Sequence, residues 1–124
     1  MRTKSRTLTE QELEIMKVVW ELQTATVRDV YEVLLGRRKI AYTTVMTMMN
    51  ILEDKGYLKK RAEDKAHVYR PAQARAKVIR AMVEDFVSRV FNGSAQPLLV
   101  QLVKDRRLSA KDLEAITRQI REAE

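Results

Sequence analysis

The sequence has no cysteine, and only three glycines, two prolines and one histidine among its 124 residues. Without cysteine the chain has no disulfide, no thiol nucleophile and no cysteine-ligated zinc or copper site. A single histidine, His67, does not support a metal site, so we predict no metal and no cofactor. The scarcity of glycine and proline argues against long loops and β-sandwiches and favours a helical protein.

Long apolar runs are also lacking. No segment approaches the roughly 18 apolar residues that a membrane-spanning helix needs. The N-terminus, residues 1–6, is basic but leads into Leu8-Thr9-Glu10 without the apolar stretch of a signal peptide. We therefore expect a cytoplasmic protein with no membrane partner.

The charge is unevenly distributed along the chain. A length of 124 residues allows one compact domain with a small appendage, and the net charge is +7. Residues 1–36 carry a net charge of −1, residues 37–70 carry +5 and residues 71–124 carry +3. The basic excess is concentrated in a 34-residue stretch, which indicates a polyanionic partner for that stretch.

The first part of the chain shows three helical patterns. Thr9 with Glu12, and Thr26 with Asp29, have the spacing of helix caps. The patterns predict helices from Thr9 to about residue 23, from Thr26 to Gly36 and over residues 43–55. At 100° per residue, the third helix has an apolar face of Val45, Met48, Met49 and Leu52. The opposite face holds Thr43, Thr47, Asn50 and Asp54, flanked by Thr44, Met46 and Ile51.

After Gly56 the pattern becomes extended. Residues 57–61 and 66–70 are strand-like and flank a polar turn at residues 62–65, which predicts a β-hairpin rich in Lys and Arg. Pro71 ends the second strand because it cannot donate a ladder hydrogen bond.

Three amphipathic helices follow, over residues 74–91, 97–104 and 109–121. About fifty residues are too few to bury their apolar faces within one chain, so we infer that two copies pack together. The predicted domains are residues 1–73, which contain the three helices and the basic hairpin, and residues 74–124, a dimerisation unit. The predicted dimer contacts are Ile79, Met82, Val83, Phe86, Val90, Leu98, Leu102, Leu113, Ile116 and Ile120.

Three short helices followed by a basic hairpin have the order of a winged helix-turn-helix, whose second motif helix enters the major groove of DNA. The groove is about 12 Å wide, and hydroxyls, an amide and methyl groups suit its base edges. Free N–H groups at the start of the third helix favour a phosphate. The predicted recognition residues are Thr43, Thr44, Met46, Thr47 and Asn50. The predicted phosphate contacts are Arg37, Arg38, Lys39, Lys59, Lys60, Arg61, Lys65 and Arg70.

Simpler interpretations of the same residues stay open at this stage. The threonines at the third helix start are also typical of a cap, and a basic hairpin is also typical of a protected edge strand. The methionines also suit core packing. The module as a whole could dock a protein, or serve a regulator with a ligand pocket among Phe86, Val90, Phe91 and Leu98. An enzyme is disfavoured by the absence of a phosphate loop and of paired carboxylates in a recognisable cleft.

Several segments resemble the penicillinase-repressor (BlaI/MecI/CopY) family of bacterial winged-helix repressors. They are residues 8–16, Thr26-Val27-Arg28-Asp29-Val30, residues 41–47 with 52–58, and Leu108-Ser109-Ala110-Lys111-Asp112-Leu113. The resemblance covers about residues 7–121. It implies a homodimer with interlocking C-terminal helices, bound to a palindromic DNA operator. It also implies that Thr43, Thr44 and Thr47 face the groove.

The chain departs from the family pattern at three places. Many members have arginine where Ile51 stands, so a DNA contact is missing or is replaced by an apolar one. The β-lactam branch is cleaved by a sensor protease at an Asn-Phe bond, and Gln101-Leu102 occupies that place here. The copper branch ends in a cysteine-rich metal site, which this chain lacks.

Overall fold

The computed structural model describes residues 7–123. In this range the elements are α1 (Glu10–Leu22), α2 (Val27–Leu35), α3 (Tyr42–Asp54), β1 (Leu58–Glu63), β2 (Ala66–Pro71), α4 (Arg75–Phe91), α5 (Gln96–Lys104) and α6 (Ala110–Ala123). This order confirms the predicted, mainly helical winged-helix fold. The basic segment 1–6, for which we expected no signal peptide, lies outside the described residues. Among the helices described, none has the length and apolar character to cross a membrane.

Reciprocal caps begin α1 and α2, as predicted. The Thr9 hydroxyl accepts a hydrogen bond from the Glu12 N–H at 3.2 Å, and the Glu12 carboxylate accepts one from the Thr9 N–H at 2.8 Å. Thr26 and Asp29 make the same pair of bonds at 3.1 and 2.9 Å. These side chains satisfy N–H groups that a helix start leaves without partners, and each cap contributes about 1 kcal/mol.

Helix α3 begins one residue earlier than predicted and has no side-chain cap. Ala41 is its N-cap residue, in an extended conformation. Thr43 and Thr44 therefore lie inside the first turn, and the interpretation of these threonines as caps is wrong.

The core of the N-terminal part lies where α1, α2 and α3 meet. Met16 and Val19 of α1, Val30 and Leu34 of α2, and Val45, Met49 and Leu52 of α3 are each 0% exposed. The predicted apolar face of α3 is thus confirmed, with Met48 half-buried at its margin. Full burial of a side chain of this size stabilises the fold by about 1.5–3 kcal/mol, so this face fixes the rotation of α3.

The hairpin is longer than predicted and has a tighter turn. Strands β1 and β2 pair antiparallel from Leu58 opposite Pro71 to Glu63 opposite Ala66, which leaves Asp64 and Lys65 as the turn. The φ angle of Asp64 is 56°, in the left-handed region that tight turns require.

The link between α1 and α2 joins the hairpin. The backbones of Ala25 and Tyr69 exchange two N–H···O hydrogen bonds, at 2.9 and 2.8 Å. No sequence pattern predicted this pairing, which anchors the base of the β1–β2 hairpin (the wing) to the helices.

The chain divides into two compact units between residues 79 and 80. The first turn of α4 belongs to the N-terminal unit, since Val78 is only 3% exposed there. The indole N–H of Trp20 also donates to the carbonyl of Gln73 at 3.1 Å. The structural division therefore falls six residues beyond the predicted domain boundary at 73/74 and places Ile79 in the first unit.

In the second unit, no side chain between residues 80 and 123 is buried. Val83 (52%), Val90 (54%) and Ile120 (56%) are among its most exposed apolar residues, and Phe86 and Ile116 are exposed as well. Met82, Leu98, Leu102 and Leu113 are half-buried. Ser109 and Asp112 cap α6 reciprocally at 3.1 and 2.9 Å, which confirms the predicted helix start.

Candidate nucleic-acid interface

The outward face of α3 is small, polar and uncharged along its first two turns. Thr43, Thr44, Thr47 and Asn50 are all exposed. They share a face because α3 buries Val45, Met49 and Leu52 on its other side. Met46 and Ile51 flank the face and are each 40% exposed. A face of this size and polarity fits a major groove, where hydroxyls and methyl groups contact base edges.

The N-terminal end of α3 suits an anion. Its first turn has no acidic residue and no side-chain cap, so the positive end of the helix is not neutralised locally. The ring of Tyr42 packs edge-to-face on Tyr31 of α2, with 5.4 Å between ring centroids. This contact fixes the start of α3 to the neighbouring helix.

The wing carries a row of cations. Lys59 of β1 lies directly opposite Arg70 of β2, and both are exposed. Like charges directly opposite each other destabilise a hairpin, so a bound polyanion would relieve their repulsion. Lys65, at the turn, is also exposed. Arg61 is paired with Glu63 at 3.1 Å, in an exposed ion pair that contributes little to stability.

The link between α2 and α3 supplies Arg37, Arg38 and Lys39, all exposed. Arg38 donates to Glu14 of α1 at 2.8 Å, and this hydrogen bond raises the pKa of the guanidinium. Arg38 is thereby held against α1, whereas Arg37 and Lys39 make no ion pair within residues 7–123.

Side chains of the wing form hydrogen bonds and an ion pair with α3 that no sequence pattern predicted. The hydroxyl of Tyr69, a residue only 2% exposed, donates to the amide oxygen of Asn50 at 2.9 Å. Burial raises the pKa of the Tyr69 hydroxyl, and Glu53 and Tyr42 raise it further. Lys60 also reaches Asn50, at 3.4 Å, and Glu53, at 3.6 Å. The strand alternation of β2 gave no indication that the hydroxyl of Tyr69 meets α3.

A second connection holds the C-terminal end of α3. The ammonium group of Lys55 donates to Glu12 at 2.9 Å and to the carbonyl of Thr7 at 3.3 Å. Burial alone would raise the pKa of Glu12, but hydrogen bonds from the Thr9 N–H and from Lys55, with the charge of Lys55, lower it below its ordinary value. Sequence reasoning assigned no role to Lys55, because its partners are 43 and 48 residues away.

Gln101 and Leu102, which the resemblance aligned with the cleavage site of the β-lactam branch, lie within α5. Gln101 is exposed and its amide donates to the carboxylate of Asp105 at 3.1 and 3.2 Å. Leu102 is half-buried. The bond between them is therefore in helical conformation, and a protease must unwind α5 to bind it in the extended form.

The match to known families covers nearly the whole chain. The model of the family "Penicillinase repressor" matches residues 8–122. This chain belongs to the penicillinase repressor family.

Named relatives match this penicillinase repressor family member over most of their own length. "Transcriptional regulator BlaI" of Mycobacterium tuberculosis is 34% identical over 115 residues, which span 91% of this chain and 82% of that protein. "Penicillinase repressor" of Bacillus licheniformis is 26% identical over 106 residues, 86% of this chain and 83% of that protein. The solution structure of monomeric Bacillus licheniformis BlaI in complex with the blaP half-operator is also similar. It has a TM-score of 0.50 and 28% identity, covering 56% of this chain and 85% of that chain.

Proposed function

We propose that this chain is a DNA-binding transcriptional repressor, not an enzyme, that binds a palindromic operator as a homodimer in the cytoplasm. The observation that supports this proposal most directly is the uncharged, hydroxyl-rich face of α3 beside a basic wing, in a member of the penicillinase repressor family. A relative of known structure is described as bound to a half-operator, which supports DNA as the partner.

The two parts of the interface have different tasks. Thr43, Thr44 and Thr47 contact base edges in the major groove and supply sequence preference. The cations of the wing and of the α2–α3 link contact phosphates, so they supply affinity that falls as salt concentration rises. The N-terminal end of α3 holds a phosphate and sets the insertion depth of the helix.

The second unit supplies the dimer contacts. Its apolar side chains, among them Phe86, Val90 and Ile120, are exposed to water in a single copy of the chain. Exposed apolar patches of this kind mark protein–protein contacts. Packing against a second copy covers them and fixes two α3 helices about a two-fold axis. Half-sites about 34–36 Å apart, one DNA turn, match this arrangement.

The resemblance suggests a sensor protease as a partner that relieves repression, but Gln101-Leu102 stands here in place of the Asn-Phe bond at which the β-lactam branch is cleaved. The helical conformation at Gln101 and Leu102 argues that cleavage there follows local unwinding of α5. Incubation of the chain with a protease domain of this type, followed by mass spectrometry, tests whether the bond is cut. A chain that remains intact removes this partner from the proposal.

The central experiment is nuclease protection of a duplex selected by the purified full-length chain. We expect a protected palindrome, and we expect Thr47→Asp to abolish protection because it places a carboxylate against base edges and phosphates. Ser88→Asp is the matched control, since Ser88 is exposed on the side of α4 opposite the predicted dimer stripe. Protection that is absent for the unaltered chain, or equal for both variants, would refute the proposal.

A further inference from the structure

The side chain of Asn50 is oriented by the wing. Its amide oxygen accepts one hydrogen bond from the Tyr69 hydroxyl at 2.9 Å and another from the Lys60 ammonium at 3.4 Å. An ammonium group is a donor without any acceptor, so the atom that faces Lys60 is the oxygen and not the nitrogen of the amide. The contact with Lys60 therefore identifies the amide oxygen as the atom that faces the wing.

Tyr69 is fixed in position by burial and by backbone hydrogen bonds. Its side chain is 2% exposed, and its backbone is bound in both directions to Ala25. Lys60 is held in addition by Glu53, at 3.6 Å. The two donors that reach Asn50 thus come from β-strands that are fixed relative to α3.

In this orientation the side chain of Asn50 has only its N–H donors available to a bound partner. An amide oxygen has two lone pairs, and Tyr69 and Lys60 occupy both. Within residues 7–123 the amide nitrogen of Asn50 makes no hydrogen bond, and the residue is exposed on the outward face of α3. Its two N–H groups are therefore the part of Asn50 that faces a bound partner.

We propose that Asn50 is a specificity-determining residue that favours guanine over adenine, with Tyr69 as its positioning residue. This inference rests on the proposed DNA-binding function. Asparagine recognises adenine by accepting from N6 while donating to N7, and the oxygen needed for that pair is already occupied. Guanine presents two neighbouring acceptors, O6 and N7, to the N–H groups of Asn50. Adenine presents the N6 donor beside N7, which opposes a second donor.

The test is selection of binding sites from a random duplex pool by the full-length chain, with sequencing of the enriched duplexes. Comparison with Asn50→Ala identifies the base position whose preference depends on Asn50. We expect guanine to be enriched there by the unaltered chain, and the enrichment to disappear in Asn50→Ala. Asn50→Asp keeps an acceptor for Tyr69 and Lys60, so it preserves the fold, but it has no N–H group and should lose the preference as well.

Tyr69→Phe separates positioning from packing. It frees one lone pair of the Asn50 oxygen and leaves the ring in place, so we expect the ratio of adenine to guanine at that position to rise about tenfold. Tyr31→Phe is the matched control and should leave the ratio unchanged. A purely structural role for Tyr69 would lower thermal stability and overall affinity without moving the base preference at one position.

Distinct outcomes overturn distinct claims. Enrichment of adenine by the unaltered chain at the Asn50-dependent position, the absence of such a position, or identical preferences in Tyr69→Phe and Tyr31→Phe each refute the inference while DNA binding stands. Failure of the unaltered chain to enrich any sequence refutes the proposed function itself, and the inference with it.

Discussion

Substitution of Lys55 by methionine tests the ion pair that ties the end of α3 to the start of α1. The side chains of Lys55 and Glu12 are 11% and 5% exposed, and their nitrogen and oxygen lie 2.9 Å apart. Methionine retains most of the apolar stem but removes the donor to Glu12 and to the Thr7 carbonyl. The Glu12 carboxylate then stays buried with the Thr9 N–H as its remaining described donor at 2.8 Å.

The expected loss of stability is large for one substitution. Removal of one partner from a buried ion pair costs about 3–5 kcal/mol, because it leaves a buried charge without compensation. We expect about 3 kcal/mol for Lys55→Met, since Lys55 is partly exposed and water can reach the vacated site. A domain of this size has a free energy of unfolding of about 5–15 kcal/mol, so the change is readily measured.

Urea denaturation followed by circular dichroism gives the free energy of unfolding. Arg38→Met is the matched control, because Arg38 and Glu14 form a pair of nearly the same length, 2.8 Å against 2.9 Å, with side chains 38% and 27% exposed. That pair contributes about 0–1 kcal/mol. Equal destabilisation by Lys55→Met and Arg38→Met would show that burial does not strengthen the Lys55–Glu12 pair and would refute the reasoning.

The pH dependence provides a second check on the same pair. The pKa of Glu12 is lower in the folded chain than its ordinary value, about 4.3 in an unfolded chain. The resulting stabilisation is therefore complete above the unfolded pKa and is lost as pH falls through the folded pKa. We expect the stability difference between the unaltered chain and Lys55→Met to shrink as pH falls through the folded pKa of Glu12, because a protonated carboxyl no longer forms an ion pair with Lys55. A difference that stays constant from pH 7 to pH 3 would contradict a charged pair.

Three further predictions concern the interface and the second unit. Thr47→Ala should cost about 1–3 kcal/mol on the selected operator and little on unrelated duplexes, as measured by fluorescence anisotropy; equal losses on all duplexes would place Thr47 on phosphate instead. Lys59→Ala should weaken binding to every duplex and reduce the slope of log K against log salt by about 1, with Lys104→Ala as control; an unchanged slope removes Lys59 from the interface. Phe86→Asp should give monomers in sedimentation velocity, because a carboxylate cannot be buried between copies without a partner; a persistent dimer would exclude α4 from the contact.

The outward face of α3 was largely predictable from the sequence. The buried residues Val45, Met49 and Leu52 repeat at helical spacing, so the opposite residues had to face outward. The roles of individual side chains were less predictable. Arg38 and Asn50 have the chemistry of DNA contacts, yet Glu14 holds the former and Tyr69 and Lys60 orient the latter. These partners are 10 to 24 residues distant along the chain, beyond the reach of any local pattern.

The sequence by itself determined the type and order of the elements, because caps, helical periodicity and strand alternation depend on neighbours three or four residues away. Thr9 with Glu12 and Thr26 with Asp29 are examples in which the residues alone dictate where a helix starts. Only the tertiary structure decided which distant groups meet: Ala25 with Tyr69, Glu12 with Lys55, and Tyr69 with Asn50. Such contacts form when the packed core fixes the elements relative to one another, and a side chain's hydrogen-bonding partner then depends on the whole fold.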